Sequence, residues 1–136
     1  MTMNLRLRVL AAIVIPLLSS FAAQAEECSE ESVKPFCIHE RTQNEYDRAD
    51  KTLNAAYKKV LKAISKPKED GLDYPLLKTK FIEAQRQWLR FRDSECNAWY
   101  VVNEAGADRN FDETACLVKR MQDRTRQLEE WLAYLP

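Results

Sequence analysis

The stretch Ala84-Gln85-Arg86-Gln87-Trp88-Leu89-Arg90-Phe91-Arg92-Asp93-Ser94-Glu95-Cys96 decides how this chain folds. Around it Phe81, Ala84, Trp88, Phe91 or Arg92, Cys96 and Trp99 recur every three or four residues, the spacing that lines one side of a helix. That side is apolar except for Gln85 and Arg92, each about one turn from Trp88. A buried guanidinium without partners is strongly destabilising, so neighbouring helices must supply groups that answer these two.

Toward the N-terminus, Thr42-Gln43-Asn44-Glu45 fits a capping box, followed by Tyr46, Ala49, Leu53, Ala56, Val60 and Ile64 at helical spacing. This predicts a first helix over about 43–65. Pro67, Gly71 and Pro75 punctuate the connection that follows, and Pro75 suits the first turn of a second helix over about 75–104. Gly106 is placed to end it. Asn110-Phe111-Asp112-Glu113 offers another capping box for a third helix over about 111–134, with Leu117, Met121, Arg124, Leu128, Trp131 and Leu135 inward. No stretch alternates as a strand does, and no repeat is present. The expected fold is all-α: an antiparallel three-helix bundle behind an irregular, disulfide-closed N-terminal segment.

Folding the first two helices back around residue 70 sets position 50 opposite about 90. Folding the last two around 107 sets position 92 opposite about 122. Asp50, Arg92 and Arg124 then share one layer, with Asn54 near Gln85 beside it. The same register brings Cys96 to Cys116 and leaves Cys28 and Cys37 to close a local loop. The charged layer has two readings, a buried ion network that fixes register or the lining of a groove; the structural reading is preferred.

Residues 1–25 read as a cleavable export signal: Arg6 and Arg8, an apolar run over 9–18 that is too short to span a membrane, and Ala23-Gln24-Ala25 at the cut. Cys28 does not follow the small residues of a lipoprotein acylation box. The expectation is a periplasmic or secreted single domain over residues 26–136, not membrane-bound after cleavage. Loss of Arg6 and Arg8 turns a formally neutral chain slightly acidic, which with export argues against a nucleic-acid partner. Four cysteines in an oxidising compartment point to two disulfides; a zinc site would need spacings the chain lacks, and His39 is its only histidine.

The chemistry-bearing residues are few. A lone His39 has no companions for a hydrolytic triad, and two glycines cannot build a phosphate-cradling loop. Lys78, Lys80, Arg86 and Arg90 read as a solvated face of the second helix, and Trp88, Trp99 and Trp131 as core or near-core aromatics. No catalytic residue, metal ligand or cofactor is expected.

Tyr46-x-x-Ala49-Asp50-x-x-Leu53-Asn54-x-x-Tyr57, then Ala84-Gln85-x-x-Trp88-x-x-x-Arg92-Asp93-x-x-Cys96, and later Cys116, Arg124 and Leu128, resemble the LprI-like lysozyme-inhibitor family over nearly all of residues 26–136. Met121 stands where that family often has threonine, and Cys37 lies farther upstream of the first box than in many relatives. The resemblance implies a small exported helical protein that binds and inhibits lysozyme by contact, without chemistry. Animal lysozymes are basic, and the acidic start Glu26, Glu27, Glu30 and Glu31 would steer association. A loop carrying Lys34, Pro35 and His39 is the favoured contact; the connection bearing Asp108, Asn110 and Asp112 is its rival. Two other functions compete: an envelope interaction or immunity protein for a different partner, and an enzyme acting on peptidoglycan.

Overall fold

Pro35 starts the first helix, α1, which runs Pro35–Ala63. Lys34 before it is extended, as a residue preceding proline prefers, and nothing from 36 to 63 breaks the helix. The structure, a computed structural model, describes residues 28–69, 71–106 and 108–136. The leader at 1–25, and Glu26 and Glu27 with it, lie outside the described residues. The second helix, α2, spans Tyr74–Val102 and the third, α3, spans Arg109–Tyr134. There is no strand among the described residues.

Asp73 caps α2, its carboxylate accepting the Leu76 N–H at 3.0 Å, with Pro75 in the first turn. Between α1 and α2 the chain reverses tightly: the Glu69 and Leu72 backbones exchange hydrogen bonds of 3.2 and 3.1 Å. Gly71 lies within that turn at φ 89°, a conformation that favours glycine. α2 ends at Asn103, whose carbonyl accepts the Gly106 N–H at 2.7 Å.

The core is one cluster: Ala49, Leu53, Ala56, Val60 and Ile64 from α1 and the turn after it, Tyr74 and Phe81 from α2, and Val118, Met121 and Leu128 from α3. α3 is the helix on which the other two pack most closely. α1 offers it the small residues Ala49 and Ala56, which permit close approach, whereas α1 and α2 meet through the stacked rings of Tyr57 and Phe81, 5.4 Å apart. Phe81 also meets the edge of Trp131. α2 and α3 are antiparallel, joined by the Cys96–Cys116 bridge. α1 and α3 run parallel: Ile38 shares a groove with Phe111, and Ala49 shares one with Thr125.

Four expectations are corrected. α1 begins at Pro35 and not at 43, so Cys37 and His39 lie on a helix; only residues 28–34 remain irregular, pinned by the Cys28–Cys37 bridge. Thr42 is therefore no cap: it is buried inside α1, and its hydroxyl donates to the Ile38 carbonyl at 2.9 Å. At α3, the helix starts at Arg109, so Asn110 lies inside the first turn and does not cap it with Glu113, and Asp112 accepts a 2.5 Å bond from the Asn103 amide. On α2, Ala84, Phe91 and Trp99 are exposed, and the inward side runs through Phe81, Gln85, Trp88, Arg92 and Cys96.

Candidate functional site

Gln85 is buried, and its side-chain oxygen accepts a 3.0 Å bond from Nε of Arg124 across the α2–α3 seam. Arg124 also donates to Gln127 at 3.0 Å, and burial lowers its pKa from the ordinary arginine value. The guanidinium carbons of Arg92 and Arg124 lie 5.4 and 5.6 Å from the centroid of the Trp88 ring, within cation–π range. Arg92, its side chain 11% exposed, donates to the neighbouring Asp93 through Nε at 2.8 Å and Nη2 at 2.6 Å.

The three-helix ion layer expected from the register does not form. Asp50 is half-buried and accepts a 2.9 Å bond from Asn54, one turn along α1; among the described residues no ion pair links it to Arg92 or Arg124. The physical reason is local: each arginine is already answered on α2 or α3, by Asp93, Gln85, Gln127 and the face of Trp88. The seam carries instead a pair that periodicity did not single out. Arg120 makes a two-pronged contact with Glu95, at 2.7 and 2.5 Å, beside the Cys96–Cys116 bridge. The register that aligns those cysteines also sets 95 near 120, so the signal was present in the fold-back arithmetic.

At one end of the bundle the parallel course of α1 and α3 brings together the two segments that looked like rivals. A groove of about 500 Å³ opens there, lined on one side by Pro35, Ile38 and His39 and on the other by Asp108, Phe111 and Asp112. Glu30, Glu31, Lys34 and His39 are all exposed. Ser29 is tied to α1 by a 3.2 Å bond from Arg41 to its carbonyl. Both disulfides lie toward this end, Cys28–Cys37 at the start of α1 and Cys96–Cys116 between the last turns of α2 and the first of α3. Among the described residues, no His, Cys, Asp and Glu cluster is arranged to hold a metal ion.

A family model described as Lysozyme inhibitor LprI matches residues 25–128, a span that takes in both disulfides, the Gln85–Arg124 contact and the groove. No curated protein and no solved structure matches the chain.

Proposed function

Because the chain belongs to the LprI family of lysozyme inhibitors, we propose that it inhibits a muramidase by surface contact, occupying the enzyme without chemistry of its own. The family match carries this reading, since it spans all but the last turns of α3. A bundle stapled twice loses little conformational entropy on binding, which suits a protein that works as a rigid plug. On this reading residues 1–25 direct export and are removed, and residues 26–136 act in the periplasm or outside the cell, where disulfides persist.

The test is a titration of the purified mature chain into hen-type, goose-type and invertebrate-type lysozymes while cell-wall clearing is followed. Inhibition of at least one class at near-stoichiometric amounts is the expected result. No effect on any class, together with capture of another envelope protein, would replace this reading with that of an immunity or interaction module. Clearing by the chain alone would make it an enzyme.

A further inference from the structure

We propose that the twice-stapled end of the bundle is the face that meets the enzyme, and that its counterpart is the cationic surface of a basic lysozyme. This rests on the inhibitor reading above and adds the surface and the chemistry of the partner.

Three independent observations converge there. Large apolar side chains that a solvated helix end does not require are exposed at this pole: Val33 and Phe36 at the start of α1, Val101 and Val102 at the end of α2, and Phe111 at the start of α3. Val33 is 84% exposed and Phe36 63%. Five of the ten large apolar side chains exposed among the described residues thus lie at this pole, rimmed by charge in the manner of a protein-binding surface, while the far pole exposes Leu76, Trp131 and Tyr134.

Charge separates along the bundle axis. Glu30, Glu31, Glu104, Asp108, Asp112 and Glu113 gather at the stapled pole, with Lys34, Arg41 and Arg109 the bases among them. The far pole carries Lys58, Lys59, Lys62, Lys66, Lys68, Lys78 and Lys80 against Glu69, Asp73, Glu83, Glu129 and Glu130, so it is basic on balance where the stapled pole is acidic. The N-termini of α1 and α3 each add roughly half a positive charge to the stapled pole, less than its carboxylates supply. A basic enzyme approaching this dipolar molecule is drawn to the acidic pole and turned away from the lysines, an effect that salt weakens.

The groove between α1 and α3 supplies a place for one protruding cation. Phe111 and Ile38 give it an apolar wall, and the carboxylates of Asp108 and Asp112 lie on the same lining. A lysine or arginine of the partner seated there meets both an aromatic face and an acid. Because Cys37 and Cys116 anchor the first turns of α1 and α3, this lining is held in place before the partner arrives.

The experiment measures affinity of the mature chain for hen-type lysozyme by calorimetry at low and moderate salt, with melting temperature recorded for each variant. Glu30→Lys with Glu31→Lys should weaken binding tenfold or more at low salt and flatten its salt dependence. Phe36→Ala with Phe111→Ala should weaken it tenfold or more at both salt levels, without a large change in melting. Lys58→Glu with Lys62→Glu, at the far pole, should leave affinity within about threefold. Native affinity and salt dependence in both stapled-pole variants, while the native chain binds, overturns the surface assignment alone. Failure of the native chain to bind hen-type, goose-type or invertebrate-type lysozyme overturns the inhibitor reading and this inference with it.

Discussion

Gln85 is a buried amide inside an otherwise apolar seam, and its worth lies in what it answers. Its oxygen receives Nε of Arg124, whose guanidinium is half withdrawn from water and rests near Trp88. Replacing Gln85 by Ala leaves that donor without its acceptor and should cost about 2 kcal/mol in urea unfolding, the range for orphaning a buried partner. Arg92→Met should cost less, about 1 kcal/mol: it gives up the Trp88 face and a bond to the exposed Asp93 but keeps an apolar stem in the seam. Asp50→Asn separates the geometry found here from the three-helix ion layer that register arithmetic favoured. Since the one side-chain hydrogen bond of Asp50 among the described residues is from Asn54, that substitution should change stability by no more than about 0.5 kcal/mol, whereas breaking a buried ion network would cost several times more.

At the scale of helices, the Cys96–Cys116 bridge fixes α2 against α3 across a separation of 20 residues. Replacing both cysteines by alanine should lower stability by about 3 kcal/mol, through the freedom returned to the unfolded chain. The start of α2 gives a pH-dependent counterpart. The Leu76 N–H, and after it Lys68, hold the Asp73 carboxyl below its ordinary value of 3.8. A carboxyl depressed in the folded state stabilises above its unfolded pKa, and that contribution fades as pH falls through the folded value. Asp73→Ala should therefore destabilise the protein at neutral pH, and its deficit in thermal melting should shrink as pH drops below 3.8.

Helices were the most legible level of this sequence, and the phase of α2 the least. Leu53, Val60 and Ile64 announce the buried side of α1 because no polar residue competes for it. The start of α1 was obscured by two local signals: Thr42-x-x-Glu45 makes a good box, yet Pro35 opens a helix earlier and no breaker separates the two. On α2, Phe91 and Trp99 read as core by hydrophobicity alone. The contact from Arg124 to Gln85 and the bridge at Cys96 rotate α2 the other way and leave those rings in solvent. Only the partner helix decides between such phases.

For the whole molecule, the placement of the candidate surface was half visible. A chain that goes up, down and up must run its first and third helices parallel, so the segments around Lys34 and Asp108 had to become neighbours. They read as rivals because their separation in sequence hides that consequence. Which side chains would stay exposed there could not be read, since Phe36, Val102 and Phe111 look like any other helix hydrophobe until packing leaves them out. What results is a bundle with an acidic, apolar, twice-stapled pole and a lysine-rich pole opposite it, and the account turns on which pole meets the enzyme.

Hydroxyl-radical footprinting of the mature chain, alone and saturated with the lysozyme whose inhibition is proposed, addresses that question directly. Phe36 and Phe111 should lose most of their oxidation in the complex, while Leu76 and Tyr134, exposed toward the other pole, keep theirs. Protection of Leu76 and Tyr134 with Phe36 and Phe111 still freely oxidised would contradict the account.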